Sequence, residues 1–114
     1  MDRGHPELAA RTDALHPAVL ALVGAAAAAG TRAGRLVAVC GGVAADPAAV
    51  PLLLGLGVRE LSVVPAAVPA VKRLVRTLRL ADCTALARRC LELESAAEIR
   101  ALVARTLSAT EGPR

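Results

Sequence analysis

This 114-residue chain contains no Phe, Tyr or Trp, and that absence constrains the fold more than any motif present. Aromatic side chains dominate core energetics where they occur, each burying roughly 150–250 Å². Here a core has to be assembled from 27 Ala, 18 Leu and 13 Val. Each such residue removes little area from water, so the margin of stability is thin. The chain is still 55% apolar, which excludes disorder, because disordered chains are poor in Leu and Val. The missing aromatics also exclude nucleic-acid binding by base stacking. A chain of this length makes one domain or a part of one.

The formal charge is +4, and thirteen of the 14 basic residues are Arg, with Lys72 the one lysine. Arginine forks suit phosphate binding, but a base-composition bias that also favours Ala, Gly and Val gives the same excess. The cations are spread along the chain, which argues against a nucleic-acid partner. Cys40, Cys83 and Cys90 are odd in number and form no CxxC pair, so neither a disulfide framework nor a zinc site follows, and a reducing cytoplasm fits. The N-terminal MDRGHPELAA is polar and carries acids, unlike a signal or transit peptide. The longest apolar run, between Pro17 and Gly30, is too short and too Ala-rich to cross about 30 Å of hydrocarbon. A soluble protein without membrane insertion is expected.

Periodicity predicts seven elements. Pro17 suits the first turn of a helix that stops at Gly30, with His16 at its start. Arg35–Cys40 is a continuous apolar stretch ending at Gly41-Gly42 and predicts a buried parallel strand. Asp46-Pro47 predicts the cap and first residue of a second helix that ends near Gly55 or Gly57. Val58–Val64 reads as a second buried strand. A third helix, from about Ala66–Pro69, carries Val71, Leu74, Val75 and Leu78 on one side and Lys72, Arg73, Arg76 and Arg79 on the other. That basic face is either an anionic-ligand patch or a plain solvated surface. Asp82 is expected to cap a fourth helix burying Leu86, Cys90 and Leu93, and Ser95-Ala-Ala-Glu98 is a capping box opening a fifth with Ile99, Leu102, Val103 and Leu107. Strands alternating with helices imply an α/β fold with a parallel sheet. Two strands cannot close such a sheet, so the chain reads as a slice of a larger α/β structure.

Cys40 is the leading candidate for chemistry. It ends a strand and precedes two glycines, and the carboxyl edge of a parallel sheet is where α/β folds bind ligands. A thiol there can donate a proton; the alternative is a small buried hydrophobe. Cys83 and Cys90 share one helix face and read as packing. Arg3, between Asp2 and Gly4, can offer a guanidinium to phosphate or stand as an exposed terminal residue without a role. His5 and His16 share no ligand spacing with the cysteines. Asp46 is explained by capping, and Gly41-Gly42, Gly55 and Gly57 do not form a dinucleotide fingerprint.

The segments DRGH, HPAVLALV and VAVCGGVAADPAAVPLLLGLGVRELSVVPAAVPAVKRLVR, taken in order, resemble the end of the phosphoenolpyruvate-binding barrel of the PEP-utilising enzymes. Within that family the stretch from Pro51 to Arg76 looks more like the phosphoenolpyruvate–protein phosphotransferases of Enzyme I type than like pyruvate phosphate dikinase or phosphoenolpyruvate synthase. The resemblance runs from Asp2 to about Val103. It implies a partial TIM (β/α)8 barrel, roughly its last quarter, with residues 1–114 forming one incomplete domain. It implies that Cys40 protonates the enolate carbon of enolpyruvate and that Arg3 contacts the phosphoenolpyruvate phosphate. His5 stands where the family usually has Asn, Gly42 where many members have Glu, and Val64 where a small polar residue is frequent. The implied partners are phosphoenolpyruvate or pyruvate and a phosphocarrier protein of sugar transport. The family's Mg²⁺ is held by a Glu and an Asp on earlier strands, and its phosphorylated His lies in a separate domain. The chain is therefore expected to be inactive alone and to bind no metal itself. A non-catalytic association module, a homodimer, a complementing chain of a split enzyme and a gene remnant restarted at Met1 are the rival expectations.

Overall fold

Small aliphatic side chains bury enough area only if helices approach closely, and glycine and alanine set that approach here. In the computed structural model, which describes residues 13–110, the elements run in the expected order. They are α1 (Pro17–Arg32), β1 (Ala38–Cys40), α2 (Ala49–Leu56), β2 (Glu60–Ser62), α3 (Val68–Thr77), α4 (Leu80–Leu91) and α5 (Ala96–Thr110). Short 3-10 turns at Gly42–Ala45 and Pro65–Ala67 follow the two strands. The described residues are α/β, mostly helical, around one two-stranded parallel sheet. None of its described helices is long and apolar enough to cross a membrane.

α2 is the centre of the core. Ala49, Val50, Pro51, Leu52 and Leu53 are all buried, and around Leu52 and Leu53 gather Leu15, Leu20, Val58, Leu86, Cys90, Ile99 and Val103. The tightest approach is between α2 and α4. A Cβ added at Gly55 would run into the Cys83 carbonyl and lie 3.0 Å from the Ala87 Cβ. Gly55 is thus a helix-packing position, and the stop is Gly57, in the left-handed region at φ 109°. The Arg59 guanidinium covers that helix end, donating to the carbonyls of Leu54 (3.0 Å) and Val58 (2.9 Å). Cys83 and Cys90 are buried on the inner face of α4, as packing requires.

Several boundaries differ from those expected. α1 continues through Gly30 to Arg32, because Gly30 is where Val37 crosses the helix and a Cβ would clash with the Val37 side chain. Asp46 does initiate the second helix, its carbonyl accepting from Ala49 and Val50 N–H at 2.9 and 3.0 Å. Regular α2 nevertheless starts at Ala49, since Pro51 has no N–H to return to the Pro47 carbonyl. Asp82 is not a cap: α4 begins at Leu80 with Arg79 at its N-cap, leaving Asp82 inside the first turn, where its charge suits the helix dipole. Leu93 lies past the end of α4 and is half-buried. Ser95 does cap α5, its Oγ accepting from Glu98 N–H at 3.1 Å. In place of the reciprocal backbone bond, its hydroxyl donates to Glu98 Oε1. His16 caps α1, with Nδ1 accepting from Ala18 N–H at 3.1 Å.

The strands depart most. Each has three residues, and in both the outer two are exposed with only Val39 and Leu61 partly covered. They are not buried strands. The helices pack on one face of the sheet, and no described element lies on the other. The apolar stripe of α3 is only partly covered: Val71, Leu74 and Leu78 are half-buried and Val75 is 36% exposed.

Candidate functional site

Parallel pairing brings the carboxyl ends of β1 and β2 side by side. The register sets Ala38 opposite Glu60, Val39 opposite Leu61 and Cys40 opposite Ser62. Because side chains alternate along a strand, Val39 and Leu61 face the helices. Ala38, Cys40, Glu60 and Ser62 share the open face, and all four are exposed. The Cys40 thiol and Ser62 hydroxyl therefore stand together at the sheet's carboxyl edge.

Beyond Cys40 the chain turns sharply. Gly41 takes φ 90°, a conformation costly for any side chain, and leads into the Gly42–Ala45 turn. Ala44 N–H donates to the Gly41 carbonyl (3.1 Å) and Asp46 N–H to that of Val43 (3.2 Å). A Cβ at Gly41 or Gly42 would touch nothing within 4 Å, so the loop is open above. Cys40, Gly41, Gly42, Ala45, Ser62, Val63 and Val64 line a groove of about 410 Å³ at this edge. None of these side chains is charged, so the groove presents one thiol and one hydroxyl on an otherwise apolar and backbone surface.

Asp46 closes the loop and does more than cap. Its Oδ1 accepts from Ala48 N–H (3.0 Å), and its Oδ2 accepts from the Arg100 guanidinium (3.0 Å). Arg100 also meets Asp13 through two bonds, Nε to Oδ2 at 2.7 Å and a terminal nitrogen to Oδ1 at 2.9 Å. The Arg100 hydrogen bonds hold the Asp13 carboxyl below its usual range, aided by Leu15 N–H and opposed by partial burial. The guanidinium is in turn held more firmly protonated by its two carboxylates. Burial pushes the Cys83 and Cys90 thiols up, with Asp82 adding to the effect at Cys83. Neither is a reactive thiol.

Of the residues singled out from sequence, Cys40 is exposed at the sheet edge, where a strand-end thiol can meet a ligand. Arg3 and His5 lie outside the described residues. Lys72, Arg73, Arg76 and Arg79 are exposed on α3 and α3's flank, away from the groove lining. Among the described residues no three His, Cys, Asp or Glu side chains converge on a metal position. Ser62 and the Asp13–Arg100–Asp46 cluster escape a sequence reading. Ser62 is recoverable by aligning the ends of the two strands; the cluster has no local signature.

A family described as PEP-utilising enzyme, PEP-binding domain, matches residues 1–80. A multiphosphoryl transfer protein of Xanthomonas campestris pv. campestris is 46% identical over 104 residues, covering 91% of this chain and 12% of that protein. A protein of Salmonella typhimurium named phosphoenolpyruvate-dependent phosphotransferase system is 39% identical over 104 residues, 91% of this chain and 14% of its own length. The phosphoenolpyruvate-protein phosphotransferase of Haemophilus influenzae is 35% identical over 103 residues, 90% of this chain and 18% of its own. The chain thus spans less than a fifth of the length of these relatives.

Proposed function

The chain belongs to the PEP-utilising enzymes, within their PEP-binding domain, and from that premise we propose that it is a C-terminal part of a phosphoenolpyruvate-dependent phosphotransferase. Its relatives of that name support the assignment. The two parallel strands and their helices form the last part of a (β/α)8 barrel, residues 1–114 being one incomplete domain. The open face carrying Ala38, Cys40, Glu60 and Ser62 is the face such a barrel turns inward. Parallel strands in barrels are covered on both faces, which accounts for a sheet bare on one side.

Cys40 is the proton donor. When phosphoenolpyruvate loses its phosphoryl group to a protein histidine, an enolate remains. The Cys40 S–H bond breaks as a C–H bond forms at the enolate methylene, giving the methyl group of pyruvate and leaving a thiolate that solvent reprotonates. In reverse, the thiolate takes a methyl proton. A proton donor must reach the reacting carbon, and the exposure of Cys40 at the strand's carboxyl end beside an open groove is the observation that carries the reading. Ser62, directly across the register, is placed to hydrogen-bond a bound carboxylate or enolate oxygen. The groove lining holds no cation, so neutralising the phosphate falls to Arg3 and to other parts of the enzyme. On this reading the metal ligands and the phosphorylated histidine lie elsewhere in the enzyme, so the chain alone is expected to transfer no phosphoryl group. Its partners are phosphoenolpyruvate or pyruvate and a phosphocarrier protein.

The test is exchange of pyruvate methyl protons with D₂O by the enzyme containing this segment. Cys40→Ala should lower the exchange rate by about 10²-fold or more, the usual worth of a positioned proton donor, while pyruvate still binds. Unchanged exchange would sink the assignment. A second reading, association with another chain, is favoured by the exposure of Leu36 (66%) and Val64 (68%) beside the sheet. A monomer by light scattering at high concentration would remove it.

A further inference from the structure

Between β1 and α2 the chain makes a loop that carries the thiol but has few anchors of its own. Gly41 and Gly42 touch nothing above them, Val43 is only partly covered, and Ala44 is the single fully buried side chain of the segment. The loop's far end, Asp46, is held from three directions. Its backbone carbonyl starts α2, its Oδ1 takes the Ala48 N–H, and its Oδ2 takes the Arg100 guanidinium. Arg100 is on α5, 54 residues away in sequence. The same terminal nitrogen that meets Asp46, together with Nε, makes a two-point bond to Asp13, 87 residues away and just ahead of α1. With Nε and that nitrogen seated on Asp13, the plane of the guanidinium is fixed and the nitrogen's second N–H bond is directed at Asp46.

We infer that Arg100 is a positioning residue for Cys40: seated on Asp13, it fixes Asp46 and through it the Gly41–Asp46 loop that aims the thiol. The α5 helix then contributes to proton transfer without approaching the substrate, and the docking of α5 sets the geometry at the sheet's edge. The inference rests on the reading of Cys40 as proton donor only for what the aimed thiol does; the mechanical link stands on the hydrogen bonds alone. Lys at this position would keep the charge but lose the fork. Asn at position 46 would keep an acceptor for the Ala48 N–H and replace the anionic partner of Arg100 with an amide.

The link is tested on the ¹⁵N-labelled 114-residue chain without substrate, by amide shifts and hydrogen exchange together with the alkylation rate of Cys40 by iodoacetamide. Arg100→Met should shift the Gly41 and Gly42 amides, speed exchange of the Ala44 and Asp46 amides at least tenfold, and change the Cys40 alkylation rate threefold or more. Leu53 and Leu86, in the core, should follow global stability only. Asp46→Asn, which leaves the Asp13 bond intact and tests the link should Arg100→Met fail to fold, should give the same pattern. The Arg100→Met/Asp46→Asn double variant should add nothing further at Gly41 and Gly42, and Arg100→Lys should recover part of the effect. Loop amides and a Cys40 rate that move only in proportion to global stability, or additive effects in the double variant, would overturn the inference. A loop that responds as expected in a chain whose Cys40→Ala counterpart retains full proton exchange would leave the link standing and remove the proton-donor reading alone.

Discussion

Adding a single methyl group at Gly55 tests whether this core is organised as described. The α2–α4 contact has no room for a Cβ at that position: it would meet the carbonyl group of Cys83 and approach the Ala87 Cβ at 3.0 Å. The obstacle is backbone of a helix whose inner face is buried, so it cannot rotate aside as a side-chain tip can. Overpacking typically costs about 1–3 kcal/mol, and a backbone clash belongs at the upper end, about 3 kcal/mol. Alanine returns about 1 kcal/mol of helix propensity. The net is about 2 kcal/mol, which in a domain of this size lowers Tm by roughly 10 °C. Gly24→Ala is the matched control. Its Cβ would meet only Leu56 Cδ2, at 3.3 Å, the end of a side chain that can shift, so most of the propensity gain should survive and Tm should rise by a few degrees, the yield of about 0.5 kcal/mol. Thermal melts of both variants by circular dichroism at 222 nm read the difference. A Gly55→Ala protein as stable as the parent would refute the close approach of α2 and α4.

Acid should weaken the Asp13–Arg100 link in a defined direction. The Asp13 carboxyl titrates below its ordinary 3.8 in the folded state, so its contribution is complete above that value and is lost as pH falls through the lowered one. Both side chains are partly exposed, at 42% and 24%, which limits the link to about 1 kcal/mol. Urea midpoints should therefore separate the parent from Asp13→Asn by a constant amount from pH 7 to 5, and the two should converge below pH 4; a gap that persists at pH 2 would contradict the assignment. Of the three free cysteines, only Cys40 is exposed. Ellman's reagent should accordingly find one fast thiol in the native chain and three after unfolding, and two or three fast thiols without denaturant would mean that α4 is not packed inward.

What the sequence disclosed was what short-range periodicity encodes. The order of elements, the inward face of α4 through Cys83, Leu86 and Cys90, and the Ser95 cap of α5 all follow from residues within one or two turns of each other. Errors came where a long-range neighbour decides. Gly30 looks like a stop until Val37 is seen to cross it, and of the two stops expected for α2, Gly55 or Gly57, the packing of Cys83 against Gly55 leaves the role to Gly57. Asp82 reads as a cap, yet Leu80 already opens the helix. At the site, Cys40 was visible because strand end, thiol and paired glycines are adjacent in the chain. Ser62 was not, since only register brings it opposite, and an arginine on a helix, as Arg100 is, reads locally as a solvated charge.

The burial of the two strands separates what holds the protein together from what it offers to a ligand. Val39 and Leu61 pack toward the core cluster, while Cys40 and Ser62 on the opposite face add nothing to it. In the isolated chain, substitutions on that open face remove little buried area and leave no cavity, the two large sources of destabilisation. A loss of proton exchange in Cys40→Ala is therefore readable as chemistry when the variant enzyme keeps its melting temperature and still binds pyruvate. The converse holds at Arg100, where the same residue joins α5 to the start of the chain and to the loop beyond Cys40. There stability and site geometry are coupled, and only a comparison of loop with core amides tells them apart.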